Sequence, residues 1–128
     1  MQNLPDYATI YIPDESTEIR GTVQIIHGMA EHQRRYKDFS EFLKSSGYVV
    51  ATSDLRGHGD HVSINEELGY FGENGVSGML GDIHEITFYI KERYRDLPYF
   101  ILGHDMGALI AAVYLKKYDS FLNGLFLS

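Results

Sequence analysis

The sequence predicts a mixed α/β fold, with a mostly parallel sheet, helices on both faces and an antiparallel hairpin at the N-terminus. Short apolar segments rich in β-branched residues alternate along the chain with longer segments whose apolar residues recur at helical spacing. Several of these segments end at a glycine, which short turns between strands and helices favour. With 128 residues, 44% of them hydrophobic and 23% charged, the chain has the size and composition of one globular domain.

Two strands are predicted near the N-terminus. Residues 7–13 and 19–27 alternate or run apolar, and the polar residues 14–18 separate them. A short polar segment between two apolar runs favours a turn. We therefore expect these two strands to pair with each other as an antiparallel hairpin.

A helix and a third strand are predicted next. Four apolar residues at helical spacing predict a helix over residues 31–46, namely Tyr36, Phe39, Phe42 and Leu43. Gly47 follows, where a left-handed C-terminal cap is favoured. Residues 48–53 are β-branched and aromatic, which is typical of a short buried strand.

The same alternation continues to the end of the sequence. Residues 56–81 are rich in glycine and lack a sustained period, so we expect a long surface loop. Apolar residues at helical spacing then predict a second helix, which Pro98 closes: Leu80, Ile83, Ile86, Ile90 and Tyr94. A strand over residues 99–102, a helix over residues 106–118 and a strand over residues 122–127 follow.

The charge and the cysteine content exclude several function classes. Asp and Glu outnumber Lys and Arg by 18 to 11, and the net charge of −7 repels nucleic-acid backbones. The absence of cysteine excludes disulfides and Cys-based zinc sites. The N-terminus lacks the pattern of a signal peptide, and the longest apolar run, residues 108–115, is shorter than the ~20 residues that span a bilayer. We expect a cytoplasmic protein with no nucleic-acid partner and no stable membrane anchor.

Residues 103–107 have the form of a nucleophile elbow, the sharp strand-to-helix turn that lifts one reactive side chain above a sheet. The flanking Gly103 and Gly107 remove side chains that would collide in such a turn. Asp105 stands at the centre, where serine is usual. An ordinary turn that uses glycines for close packing is the alternative interpretation.

A second glycine turn strengthens the elbow hypothesis. Residues 25–32 place Gly28 between an apolar strand and a helix. In a parallel sheet such turns lie beside one another at the carboxyl ends of the strands. The backbone N–H groups of Met29 and Met106 could then converge on one oxygen atom. Two such donors form an oxyanion hole, which stabilises the transition state of acyl transfer.

Three sequence blocks occur together in a fixed order: His27-Gly28-Met29-Ala30-Glu31-His32 followed by Arg35-Tyr36, then Asp54-Leu55-Arg56-Gly57-His58-Gly59, then Leu102-Gly103-His104-Asp105-Met106-Gly107. In order and spacing they resemble the α/β-hydrolase superfamily, specifically its monoacylglycerol lipase and lysophospholipase branch. The resemblance implies that residues 1–128 are the N-terminal half of such a domain. The later strands, the cap, the catalytic acid and the catalytic histidine of the family have no counterpart in this sequence.

The resemblance implies a role for each matching residue. Position 105 is the nucleophile site, and Met29 and Met106 supply the N–H groups of the oxyanion hole. The residues that support the site are His27, Gly28, Gly103, His104, Gly107, Asp54, Arg56 and His58. The implied activity is hydrolysis of a small lipid-like monoester, such as a monoacylglycerol or a lysophospholipid, without a cofactor.

Asp105 departs from the serine of this branch. A carboxylate has no proton to give to a general base, and it repels the anionic oxygen that forms beside it. The absence of the acid and the histidine has a similar consequence, because nucleophile, base and orienting acid act as a unit. We therefore expect ester hydrolysis by this chain to be severely impaired.

Two other functions remain open. Branches that resemble haloalkane dehalogenases and epoxide hydrolases use an Asp nucleophile, although Met106 and Met29 differ from the residues usual there. The chain could instead be a non-catalytic binding module. The exposed pairing edge of the last predicted strand also predicts self-association. His58 and His61 have a spacing that metal ligands use, but this spacing is common on turns, and we expect no metal site.

Overall fold

The computed structural model describes residues 3–27, 36–54, 75–104, 106–118 and 122–127. Within these ranges the chain forms five strands and three helices. The strands are β1 (Ala8–Tyr11), β2 (Gly21–Ile26), β3 (Tyr48–Ser53), β4 (Tyr99–Gly103) and β5 (Gly124–Leu127). The helices are α1 (Lys37–Ser45), α2 (Gly75–Arg93) and α3 (Met106–Tyr118).

The strands form one mixed sheet in the order β1-β3-β2-β4-β5. β2 pairs in parallel with both β3 and β4, and β4 pairs in parallel with β5. Among the described strands, β1 alone is antiparallel to its neighbour, which is β3. The prediction of a mostly parallel sheet is confirmed.

The predicted N-terminal hairpin is wrong. A turn does form between the two predicted strands, where the N–H of Thr17 donates to the carbonyl of Asp14 at 2.9 Å. The strands on either side of this turn do not pair, and β1 lies instead along β3, with Ala8 opposite Ser53. The reason is burial. All six residues of β2 are buried, so β2 takes a central place between parallel neighbours, whereas the half-exposed β1 takes an edge.

Helices cover both faces of the sheet, as predicted. α2 and α3 pack on one face, where they enclose the larger core together with strand residues such as Ile26 and Ile101. α1 packs on the other face, where Leu43 lies against a smaller cluster that includes Val23 and Val50. Because successive residues of a strand point to opposite faces, alternate residues of β2 serve the two cores.

The end of α1 agrees with the prediction. Gly47 has a positive φ of 98°, and its N–H donates to the carbonyl of Lys44 at 3.0 Å. A side chain would be strained in this conformation, which explains the glycine at the C-terminal cap. The predicted start of this helix, before residue 36, lies outside the described residues.

α2 begins earlier than predicted. The glycine-rich pattern indicated a loop through Gly81, but Gly75, Gly78 and Gly81 all lie within the helix. An interior glycine costs a helix ~1 kcal/mol relative to alanine. Met79 and Leu80 offset this cost, because both are buried in the larger core. Tertiary burial therefore overrides a weak local helix propensity.

The remaining elements follow the sequence closely. α3 spans the predicted residues, β4 includes one further residue, Gly103, and β5 begins at Gly124 rather than at residue 122. Of the five apolar residues that predicted α2, Leu80, Ile83, Ile86 and Ile90 are buried in the helix, whereas Tyr94 is half-buried just beyond its end. In the part of the chain that the structure describes, no helix combines the length and the apolar composition that crossing a bilayer requires.

A polar network lies inside the larger core. Gln24 of β2 donates through Nε2 to Oγ1 of Thr87 in α2 at 3.1 Å, and also to the hydroxyl of Tyr99 in β4. The hydroxyl oxygens of Thr87 and Tyr99 are 2.7 Å apart. Burial raises the pKa of Tyr99 well above its ordinary value, so its hydroxyl keeps its proton. Because buried polar groups are costly unless they are paired, this network ties α2 to β2 and β4.

Candidate active site

The carboxyl ends of β2, β3 and β4 meet at one edge of the sheet. Ile26 of β2 lies opposite Gly103 of β4, and β3 runs in parallel on the other side of β2. As predicted, β2 and β4 end side by side. The residues that follow neighbouring parallel strands lie close together, and this edge is where open α/β sheets bind ligands.

Two glycines allow the start of α3 to approach β2 with no space for a side chain. A Cβ atom on Gly107 would lie 2.2 Å from the carbonyl oxygen of Ile26 and 2.4 Å from that of His27. A Cβ atom on Gly103 would lie 2.6 Å from the carbonyl oxygen of Gly107. All of these distances are far below ordinary van der Waals contact. Both positions therefore require glycine for steric reasons.

Backbone hydrogen bonds hold the same turn in place. The N–H of His104 donates to the carbonyl of Ile26 at 3.2 Å, which continues the pairing of β4 with β2 beyond the strand. The N–H of Gly107 donates to the carbonyl of His104 at 2.8 Å, which closes the turn into α3. The residue between His104 and the first residue of α3 is Asp105, which lies outside the described residues.

Two polar side chains at the ends of neighbouring strands are almost completely buried. His27 follows β2 with an exposed fraction of 1%, and Asp54 follows β3 with an exposed fraction of 3%. His104, after β4, is half-buried. Buried imidazole and carboxylate groups need polar partners, so such residues usually serve to hold a structure in place. The burial agrees with the supporting roles that the resemblance implies, and the roles themselves stay predictions.

Of the other predicted site residues, the structure describes the backbone of one and leaves four undescribed. Met106 is the first residue of α3, so its backbone N–H belongs to the helix turn whose donors lack intrahelical acceptors. Four further predicted site residues, like Asp105, lie outside the described residues: Gly28, Met29, Arg56 and His58. The segment that contains His58 and His61 lies outside them as well. Within the described ranges, no group of three or more His, Cys, Asp or Glu side chains could hold a metal ion.

The sequence did not predict that the backbone of Ile26 contacts the turn between β4 and α3. Its carbonyl oxygen accepts the hydrogen bond from His104 and also limits what fits at Gly107. Both functions belong to the backbone, and the side chain of Ile26 indicates only a buried strand. The sequence contained only an indirect indication of this contact. Two glycines separated by three residues after one strand imply that another backbone passes close by, without identifying which one.

Most of the length of this chain aligns with proteins named as lipases, a phospholipase or an esterase. The Hydrolase_4 family model, described as serine aminopeptidase S33, matches residues 17–128. Phospholipase YtpA of Bacillus subtilis is 38% identical over 96 residues, which are 74% of this chain and 34% of that protein. The monoacylglycerol lipase of Mycolicibacterium smegmatis is 29% identical over 119 residues, which are 93% of this chain and 40% of that protein.

The fold agrees with these sequence relationships. A highly thermostable carboxyl esterase from Bacillus coagulans has a crystal structure that matches this one with a TM-score of 0.85 at 39% identity. The match covers 94% of this chain and 38% of the esterase. The chain thus spans between a third and two fifths of the length of these relatives. The family match over residues 17–128 and the structural neighbours show that the chain belongs to the serine aminopeptidase S33 family of α/β-hydrolases.

Proposed function

We propose that this chain is the part of a carboxylic-ester hydrolase of the lipase and lysophospholipase type that contains the nucleophile position and the oxyanion donors, with lipid-like monoesters as the substrates of that type. One observation carries the proposal. Gly103 and Gly107 pack so closely against each other and against the end of β2 that neither position has space for a side chain, as the proposed turn around the nucleophile position requires. The names of the relatives, which include a phospholipase, a monoacylglycerol lipase and a carboxyl esterase, support the reaction class.

The proposed oxyanion hole uses backbone donors from two turns. The N–H of Met106 comes from the first turn of α3, and the N–H of Met29 comes from the segment that follows β2. β2 and β4 end side by side, which supports the proposal that both donors serve one oxygen atom. Donors that are already oriented towards a developing negative charge lower the barrier to acyl transfer, typically by about 3–4 kcal/mol each.

Asp105 is proposed to make the chain a poor catalyst of this reaction. An ester carbonyl is normally attacked by a serine hydroxyl, whose proton passes to a base as the new C–O bond forms. An ionised carboxylate has no such proton. Its negative charge also lies beside the oxygen that becomes anionic in the transition state, and the two charges repel. The oxyanion donors alone do not compensate for both effects.

Replacing Asp105 by serine tests the proposal directly. When the polypeptide also carries the acid and the histidine of the family, we expect the Asp105→Ser variant to hydrolyse a short-chain aryl ester at least ~100-fold faster than its Asp105 counterpart, equivalent to about 2.7 kcal/mol in the barrier. The measurement is kcat/KM from release of the coloured phenolate. An unchanged rate in a folded Asp105→Ser protein would contradict the proposal.

Two further variants serve as controls. Asp105→Ala removes the carboxylate without supplying a hydroxyl, so it separates relief of charge repulsion from nucleophilic attack. Asp105→Asn removes the charge at nearly constant size. We expect neither variant to reach the rate of Asp105→Ser. Equal rates in all three would show that only the charge matters and that residue 105 is not a nucleophile.

Asp105 itself favours a second candidate, hydrolysis at a saturated carbon. In that reaction the carboxylate attacks the carbon of a haloalkane, which releases halide, or of an epoxide, whose oxygen becomes an alkoxide and takes a proton from water; in both cases an alkyl ester forms on Asp105. Water then cleaves the ester and regenerates the carboxylate. Mass spectrometry of a proteolytic digest after incubation with such a substrate is expected to show the mass of the alkyl group on the peptide that contains Asp105. Without this adduct, and without activity in Asp105→Ser, a non-catalytic binding module is favoured.

A further inference from the structure

A histidine at the contact between α2 and α3 extends the polar network of the larger core. Nδ1 of His84 in α2 lies 2.9 Å from the hydroxyl oxygen of Tyr114 in α3. That hydroxyl also has Thr87 of α2 as a hydrogen-bond partner. Because Thr87 contacts both Gln24 and Tyr99, hydrogen bonds connect the two helices with β4 and β2 without interruption. We call these five side chains the His84–Gln24 network.

The hydroxyl protons of this network must all point away from Gln24. The amide nitrogen of Gln24 donates to Thr87 and to the hydroxyl of Tyr99. The proton of Tyr99 then has Oγ1 of Thr87 as its acceptor, at 2.7 Å. Thr87 in turn donates to Tyr114, and Tyr114 donates to Nδ1 of His84. The opposite direction would leave the buried proton of Tyr99 without an acceptor among the described residues, which costs free energy.

This direction determines the protonation state of His84. A ring nitrogen that accepts a hydrogen bond carries no proton, so the imidazole is neutral and its proton is on Nε2. From α3, the ring of Tyr118 stacks on the imidazole at 3.9 Å between centroids, and Asp82 and Glu85 flank His84 along α2. Burial, with a smaller contribution from the positive charge of Lys117 in α3, lowers the pKa of His84 below its ordinary value. The surroundings of His84 therefore favour the neutral ring.

Gln24 has one atom that the network does not use. Its Oε1 is buried and lacks a hydrogen-bond partner in the described part of the chain. The two orientations of an amide group have nearly the same shape, so a half-turn would place this acceptor where Nε2 now lies. The proton of Tyr99 would then have Oε1 as its acceptor. The unused oxygen thus permits a second arrangement of the same five side chains, with every hydroxyl proton pointing the other way.

We propose that protonation of His84 reverses the His84–Gln24 network and turns the amide of Gln24 over. Protonated Nδ1 donates to Tyr114, and Tyr114 then donates to Thr87. Thr87 donates to Tyr99, which donates to Oε1 of Gln24. His84 takes its additional proton from solvent, and each hydroxyl keeps its own proton and rotates about its C–O bond. In the reversed arrangement Gln24 makes one hydrogen bond instead of two.

The reversal weakens the attachment of α2 and α3 to the sheet. The turned amide directs its N–H groups to the place where Oε1 lacks a partner among the described residues, and unpaired buried donors are costly. The pKa of His84 is lower in the fold than in the unfolded chain. The stabilisation is therefore fully present above the ordinary pKa of histidine, and it is lost as the pH falls from that value towards the pKa of folded His84.

Nuclear magnetic resonance of the protein labelled with nitrogen-15 tests this coupling. We expect His84 to show the Nε2–H tautomer at about pH 8, and the side-chain amide signals of Gln24 to shift with the same midpoint as His84 between about pH 8 and about pH 5. Tyr114→Phe removes the hydroxyl that joins His84 to Thr87 and keeps the ring. In this variant His84 is expected to titrate while the amide signals of Gln24 stay constant.

Tyr118→Phe is the matched control. It removes a hydroxyl from the other tyrosine of α3 beside His84, but this hydroxyl is not part of the network. The response of Gln24 is expected to persist in this variant. The Nδ1–H tautomer at about pH 8 would overturn the proposal, and so would an equal response of Gln24 in Tyr114→Phe. If Tyr114→Phe does not fold, the unchanged protein decides, because a Gln24 amide that ignores the titration of His84 is incompatible with reversal.

Discussion

Replacement of Gly107 by alanine is expected to destabilise the fold by about 3 kcal/mol or more. The added Cβ atom would lie 2.2 Å and 2.4 Å from two carbonyl oxygens at the end of β2. Backbone atoms in a central strand cannot rotate away as a flexible side chain can, so α3 must move or the turn must distort. Urea unfolding followed by circular dichroism measures the change in the free energy of unfolding.

Gly81→Ala is the matched control for this prediction. Gly81 also lies in a helix, α2, but a Cβ atom there would meet nothing within 4 Å. The substitution is expected to stabilise the protein by about 0.5–1 kcal/mol, because alanine loses less backbone freedom in a helix than glycine does. Opposite signs for the two substitutions would show that contact with β2 makes Gly107 necessary. Similar small effects for both would contradict the close approach of α3 to β2.

Truncation of Ile86 in α2 is expected to destabilise the protein by about 2–5 kcal/mol. The side chain is fully buried between the helix and the sheet. Ile86→Ala removes methyl and methylene groups from a close-packed region, and the cavity that remains costs free energy beyond the lost transfer of these groups from water. The midpoint of urea unfolding should fall, while the dependence of the free energy on urea concentration should stay unchanged.

Phe88→Ala provides the comparison on the same helix. Phe88 lies two residues further along α2, but 46% of its side chain is exposed. The substitution removes a larger side chain than Ile86→Ala does, yet we expect a loss of only about 1 kcal/mol, because much of the ring is already in water. A loss at Phe88 equal to that at Ile86 would mean that α2 packs with a different face on the sheet.

Local patterns predicted most of the elements. The apolar spacing of Ile83, Ile86 and Ile90 located α2, and the apolar segments over residues 99–102 and 48–53 located β4 and β3. Periodicity works for these elements because one face of a helix, or an entire inner strand, must be apolar to be buried. The start of α2 could not be predicted from glycine spacing, since burial of Met79 and Leu80 outweighs local propensity.

The sequence predicted the positions of the strands better than it predicted which strands pair. The polar turn before β2 indicated a hairpin, and the turn exists, but β1 pairs with β3. A turn reverses the chain whether or not the segments beside it become neighbours in a sheet. The choice depends on which strand must be buried on both faces, and this depends on helices that come later in the sequence.

The sequence predicted the glycine turn of the candidate site, but it did not predict which atoms the two glycines contact. The glycines at positions 103 and 107 indicated a tight strand-to-helix turn, and parallel pairing placed it beside the end of β2. The contact that makes these glycines necessary, with the carbonyl oxygens of Ile26 and His27, has no signature in either side chain. Any buried strand residue presents the same backbone oxygen.

The amino-acid sequence alone determined the α/β class, the glycine turn between β4 and α3 and the identity of residue 105, because periodicity, turn chemistry and residue identity are local properties. Tertiary structure alone decided the neighbours: β1 beside β3, α3 against the end of β2, and an apolar groove between α1 and β5. Which elements become neighbours depends on how elements distant in the chain compete for burial. A local sequence pattern does not contain this information.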